Sequence, residues 1–259
     1  MTNDSAERIR QKPAAILFDV DGTLLDLLQQ PSDETFRMLE GLLQRDTPIA
    51  IVTGGSFKRI HADILKPLEA HIRPDNCYVF VDQGAECYMF NGTEWKIAYK
   101  HAFSDEERVT IKDVITSSVT ESASPDGFAQ SDISIRDSKA VFTGIPNNTP
   151  EVEKELWRGD GSKMANLKKA VEARLPGFDV HVDGPKITAL VVTRKGIDKA
   201  YAVRWLAEHL GVGAEKMLFI GDGFAEDGND RAALPSGVKA LRTGGPEYTR
   251  RIIKKLIES

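Results

Sequence analysis

A chain of 259 residues with 41% hydrophobic content can fold as one large α/β domain or two modest ones, with enough apolar material for an ordinary core. Its formal net charge of −5 gives no general pull toward nucleic acid, whose phosphates are bound by clustered Lys and Arg, and no run of roughly twenty apolar residues offers a membrane span. Cys77 and Cys87 are the only cysteines, and Met1 to Lys12 lacks the apolar stretch of a secretory signal, so the expectation is reduced thiols in a cytoplasmic protein.

Ala14 to Phe18 is a short apolar run feeding an acidic, glycine-bearing turn, the pattern of a buried strand. A helix follows, capped by Ser32 or Asp33 and striped by Phe36, Leu39, Leu42 and Leu43. Pro48 to Thr53 reads as the next strand, broken by Gly54 and Gly55, and Ser56 caps a helix carrying Ile60, Ile64 and Leu65. Cys77 to Asp82 is a third buried strand.

From Ala85 to Val192 the texture changes. Cys87 to Phe90, Trp95 to Tyr99, Ser131 to Ile135, Ala140 to Ile145 and Ile187 to Val192 alternate, with helical segments at Ser104 to Ser117 and Ser162 to Leu175 between them. Antiparallel-style strands plus two helices predict an inserted α+β domain over 85–192, expected to act as a lid. The earlier grammar then returns. Asp198 caps a helix through Leu210, Met217 to Ile220 is a strand, 221–230 is a Gly/Asp-rich loop, Val238 to Leu241 is a strand, and a helix starts at Pro246. In that last helix Arg250, Arg251, Lys254 and Lys255 make the wet face beside Ile252, Ile253, Leu256 and Ile257. The catalytic core is thus expected over 1–84 and 193–259 as a doubly wound parallel sheet.

The chemistry begins at Asp19-Val20-Asp21-Gly22-Thr23-Leu24. In a doubly wound sheet ligands sit beyond the carboxyl ends of the strands, so Asp19, one residue past an apolar strand, faces that crevice. Asp21 lies two residues on, and Gly22 lets the chain turn sharply. Two carboxylates so close favour a divalent cation, and hard oxygen ligands favour magnesium. A second acidic loop, Gly221 to Asp230, also follows a strand directly. It is no EF-hand: counted from Asp222 the sixth position is Asp227 and the twelfth Ala233, and counted from Asp227 the fifth is Arg231 and the twelfth Val238. It is no dinucleotide fingerprint either, since Glu226 stands where the third glycine belongs. The loop reads instead as the second half of a metal site.

Laid along the chain, FDVDGTLL at 18–25, Thr53 at the end of IAIVT, Lys199 in KGIDKAY and the loop GDGFAEDGND resemble the four motifs of the haloacid dehalogenase-like phosphatases, the last in the longer form of phosphomannomutase-like members. The insert between the second and third motifs resembles the type-two α/β cap, and VDQGAECYMFNGTEWKIAY and RDSKAVFTGIPN resemble cap segments of sugar-phosphate phosphatases and of eukaryotic-type phosphomannomutases. The resemblance implies a magnesium-dependent hydrolase of a small phosphorylated metabolite such as a sugar phosphate. Asp19 would be the nucleophile and Asp21 the general acid and base. Asp19, the Asp21 carbonyl and Asp222 would hold Mg²⁺, and Thr53, Gly54, Lys199 and Asn229 would bind phosphate or ligand. Asp230 would serve the metal waters or Lys199. In the insert, Arg136, Lys139 and Lys186 are the candidates for the distal end of the substrate.

Two rival readings belong to other classes. A phosphomutase starts from the same nucleophile but needs basic and amide contacts in the cap, where Asp137, Val141 and Asn147 depart from the mutase pattern and only Arg136 is kept. A non-catalytic phosphometabolite-binding module would have lost a nucleophile or a metal ligand, yet Asp19, Asp21 and Asp222 are all present.

Overall fold

The computed structural model describes residues 12–26, 32–70, 74–122, 125–146, 148–183, 188–225 and 228–258. Asn147, Lys186, Glu226 and Asp227 lie outside these residues. In chain order the elements are β1 (Ile16–Phe18), α1 (Asp33–Leu43), β2 (Ile49–Val52), α2 (Phe57–Ile60), a π-helical turn (His61–Leu65), α3 (Lys66–Glu69), β3 (Cys77–Val81), β4 (Glu86–Phe90) and β5 (Trp95–Lys100). There follow α4 (Asp105–Thr120), β6 (Asp132–Ile135), β7 (Ala140–Thr143), α5 (Glu151–Arg158), α6 (Ser162–Arg174), β8 (Phe178–Asp183) and β9 (Ala189–Arg194). The chain ends with α7 (Lys199–Leu210), β10 (Leu218–Gly221), β11 (Lys239–Arg242) and α8 (Pro246–Glu258).

The chain divides into two compact units, one running to Lys100 and resuming at Asp198, the other spanning His101–Ile197 and taking in Gly228 and Asn229 from the acidic loop. The first is a seven-stranded sheet in the order β11-β10-β1-β2-β3-β4-β5, parallel from β11 to β3 and antiparallel at β4 and β5. Alternation along its strands builds two cores. Ile16, Phe18, Ile49, Ile51, Cys77, Val79, Leu218 and Ile220 face one side with α1, α2, α3 and α8. Leu17, Ala50, Tyr78, Phe80 and Phe219 face the other side with Ala202, Val203 and Leu206 of α7. A period of two with both faces apolar is what strands buried under helices on both sides require.

Local signals fix the helix starts. Ser32 accepts from Thr35 N, Ser56 from Arg59 N and Asp198 from Tyr201 N, each relieving an orphan donor at a helix start. The helix after Ser56 is not a plain α-helix. Pro67 has no N–H to give to Asp63, and the chain widens into the π turn, in which Lys66 N donates to His61 O.

The second unit is a four-stranded antiparallel sheet, β6-β7-β9-β8, with its own core of Phe103, Ile111, Ile115, Phe142, Leu167, Val171, Leu190 and Val192. Its α4 opens with a capping box between Ser104 and Glu107. The expected crossings at 84/85 and 192/193 fall instead at 100/101 and 197/198. The first shift has a clear cause. Cys87 to Phe90 and Trp95 to Tyr99, read as part of the insert, pair onto β3 and extend the main sheet. Two elements of the insert, α5 and β8, were not expected from the sequence. Among the described residues no helix is long and apolar enough to cross a membrane.

Candidate active site

Asp19 stands one residue beyond β1, its backbone N–H donating to Ile220 O of the neighbouring β10, so the carboxyl ends of the two central strands meet there. The acidic loop after β10 begins beside it. Gly22 has φ 77°, and a side chain at that position would collide with the Asp222 carboxylate; a Cβ on Gly221 would likewise collide with that of Asp230. Gly22 thus lets the loop after β1 close on the loop after β10, and Gly221 lets the latter fold back on its own strand end.

Lys199, the first residue of α7, is fully buried and places Nζ 2.8 Å from Asp19 Oδ1 and 2.6 Å from Asp230 Oδ1. The other oxygen of Asp230 accepts from Gly223 N at 2.8 Å, which ties the acidic loop to the buried ion cluster. A cation in the first turn of a helix opposes the macrodipole, and here the two carboxylates outweigh that cost. Burial works against the Lys199 ammonium, but Asp19 and Asp230 more than reverse this and raise its pKa. For Asp19, burial pushes the carboxyl up to about 7, against the pull of Lys199 and with Asp230 adding to the rise. Burial and then Asp230 also raise Asp222.

One carboxylate oxygen from each of Asp19, Asp222 and Asp230 lies within 4.8 Å of the other two. Lys199 supplies one positive charge for the three, leaving the group two charges short of neutral. Hard oxygen donors with that deficit fit a divalent cation of the magnesium class.

Thr53, buried at the end of β2, accepts from Gly55 N at 3.0 Å through Oγ1, so its own hydroxyl proton stays available to an acceptor. Gly54 lies in the same turn, which is braced from β3 by Gln83 N donating to Thr53 O and Asp82 N donating to Gly55 O. Asp82 and Gln83 both have positive φ, 52° and 65°, a costly conformation for residues with side chains.

Asp21 does not turn toward Lys199. Its two carboxylate oxygens accept from both terminal nitrogens of Arg59, Nη1 at 2.9 Å to Oδ2 and Nη2 to Oδ1. The Asp21 hydrogen bond raises the Arg59 guanidinium, against burial. Nothing in the sequence reading singled out Arg59. A signal existed: like Lys199, it is a cation in the first turn of a helix, where an anionic partner is needed. Asn229 precedes Asp230 at the head of a 3₁₀ turn, Asn229–Ser236.

Of the candidates from the insert, Arg136 and Lys139 belong to the second unit. Arg136 N donates to Lys139 O and closes the β6–β7 hairpin. Asp137 between them takes Arg108 at 3.0 Å, and Lys139 is buried rather than displayed.

No curated protein matches the sequence. Among solved structures, an N-terminally truncated, IMP-bound IMP-nucleotidase from Plasmodium falciparum is 18% identical with a TM-score of 0.73, covering 98% of this chain and 71% of its own. A haloacid dehalogenase-like hydrolase from Bacteroides thetaiotaomicron is 17% identical with a TM-score of 0.64, covering 94% and 99%. At such identities the likeness is one of fold. The family model for haloacid dehalogenase-like hydrolases matches residues 16–124 and 136–230, taking in Asp19, Thr53, Lys199, Asp222 and Asp230, and the chain therefore belongs to the haloacid dehalogenase-like hydrolase family.

Proposed function

We propose that the protein is a magnesium-dependent phosphatase acting on a small phosphorylated metabolite through a phosphoryl group carried on Asp19. The observation that carries this reading is the buried Asp19–Lys199–Asp230 cluster with Asp222 beside it. A carboxylate held at the end of a strand, beside a fixed ammonium, can attack a phosphate that the same ammonium attracts.

In the first half-reaction an Asp19 oxygen forms a bond to phosphorus and the ester P–O bond breaks. The leaving oxygen takes the electron pair and a proton from Asp21. In the second, Asp21 takes a proton from water as the water oxygen bonds to phosphorus, and the Asp19 O–P bond breaks to release inorganic phosphate. Lys199 and the Thr53 hydroxyl hold phosphoryl oxygens, with Gly54 and Asn229 completing the phosphate contacts, and Asp230 keeps Lys199 in place. Asp19, Asp222 and the Asp21 carbonyl would hold Mg²⁺, whose charge offsets that of the phosphate dianion and the carboxylates.

The substrate class is a sugar phosphate or a nucleoside monophosphate. The cap-segment resemblance supports the former and the IMP-bound structural relative the latter. Arg136, Lys139 and Lys186 are assigned to the part of the substrate distant from phosphorus. The buried, unpaired thiols support a cytoplasmic setting. A screen of sugar phosphates and nucleoside monophosphates for phosphate release, with magnesium and with chelator, tests the reading. Release confined to the magnesium arm is the expected result; none from any ester, or equal release under chelation, would overturn it.

A further inference from the structure

The reaction just described gives Asp21 two proton transfers, yet the residue stands in an open turn. Gly22 follows it in the left-handed region, and among the described residues Arg59 is the only side chain that hydrogen-bonds to the Asp21 carboxylate. A side chain serving as acid and then as base needs one orientation in both steps, because effective proton transfer depends on a hydrogen-bonded reach of about 3 Å. Something other than burial must supply that orientation, since the Asp21 side chain is 36% exposed.

Arg59 has the means. Its guanidinium meets both Asp21 oxygens in the forked geometry that arginine alone provides. Its Nε faces the Asp63 carboxylate at 3.5 Å, so the guanidinium is itself held from behind. Asp63 is presented by the π-helical turn, and Arg59 by the short helix before it. That helix is pinned to the sheet by Phe57, whose ring stacks on Tyr88 of β4 with centroids 3.8 Å apart. The backbone carrying Arg59 is thus anchored while its side chain stays 42% exposed and able to follow a moving partner.

We propose that Arg59 is the positioning residue for Asp21, with Asp63 as the anchor that keeps the guanidinium in place on one Asp21 oxygen when the other turns to the leaving oxygen. This rests on the hydrolytic reading above. Through turnover Arg59 stays on Asp63 and keeps one Asp21 oxygen, while the other Asp21 oxygen, protonated for the first step and bare for the second, faces the reacting oxygens. Loss of Arg59 leaves Asp21 free to rotate, and the step that suffers is proton delivery to the leaving group.

Leaving-group dependence separates this role from a merely structural one. The best sugar phosphate or nucleoside monophosphate found for the wild type is an alkyl ester and needs a proton on its departing oxygen; para-nitrophenyl phosphate departs as a stable phenolate. With Arg59→Ala, kcat/KM for the alkyl ester should fall about 10- to 100-fold further than kcat/KM for the nitrophenyl ester, a portion of the usual general-acid contribution of about 10²–10⁴. Arg59→Lys, which keeps the charge and loses the fork, should fall between wild type and Arg59→Ala, and Asp63→Ala should show the same selectivity in smaller measure. Equal losses on both esters, or none on either, would overturn the inference while leaving the hydrolytic reading intact. A wild-type protein inactive on every ester would remove both.

Discussion

Two charged groups of the same unit stand a few residues apart in function and far apart in physics. Lys199 is fully buried between Asp19 and Asp230, whereas Arg59 is 42% exposed between Asp21 and Asp63. In the first, every partner is fixed, because releasing any one would strand a charge without water. In the second, water can replace either carboxylate at small cost, so the contact can open and re-form. In the proposed reaction, burial suits the groups that must not move during phosphoryl transfer, and exposure suits a carboxylate that serves two steps.

Stability should divide along the same line. Lys199→Ala leaves Asp19 and Asp230 facing each other uncompensated, and the expected loss is about 3–5 kcal/mol in urea unfolding. Arg59→Ala should cost no more than about 1 kcal/mol. Equal losses would erase the distinction between the two groups.

The inserted unit extends the contrast to substrate recognition. If Arg136 or Lys139 reads the distal part of the metabolite, replacement by Ala removes a charge-assisted contact of about 1.5–3 kcal/mol, roughly a 10- to 150-fold rise in KM. An aryl phosphate with nothing for these residues to hold should be affected far less. Parallel losses on both would show that Lys139, buried in its hairpin, supports the fold of its unit.

Asp222 offers a milder test, being exposed where Asp19 and Asp230 are buried. Asp222→Ala should raise the magnesium concentration needed for half-maximal activity about tenfold or more, since one of two charged ligands is gone, and calcium should support little turnover because of its larger, looser shell. Unchanged magnesium dependence would move the metal elsewhere.

The smallest effect expected is an absence of reaction. Burial pushes the Cys77 thiol up to about 12 and raises Cys87 as well, so at pH 8 both stay protonated and enclosed. A thiol reagent should label neither in the folded protein and both in denaturant; rapid labelling of the native protein would mean that the sheet opens at β3 and β4.

The core was legible because its strands are continuous apolar runs ended by acidic or glycine-rich turns. Ile16 to Phe18, Ile49 to Val52 and Leu218 to Gly221 can hardly be anything else once buried on both faces. The insert was less so. In α5, Val152 and Leu156 stand at the i, i+4 spacing of a helix, but two exposed apolar positions in eight residues between Pro150 and Gly159 make too short a stripe to set it apart from a loop. The strands β4 and β5 alternate as any half-exposed pair does, and alternation cannot say which sheet they join. Arg59 was missed because its partner, Asp21, lies 38 residues away and no local spacing links them.

The central claim is that Asp19 carries the phosphoryl group, and acid-quenching the enzyme during turnover of its best substrate tests it most directly. Mass spectrometry of the digest should find one phosphoryl group on the peptide containing Asp19, labile to hydroxylamine and absent from Asp19→Asn. Sustained turnover with no such adduct, or with the phosphoryl group on another residue, would contradict the account.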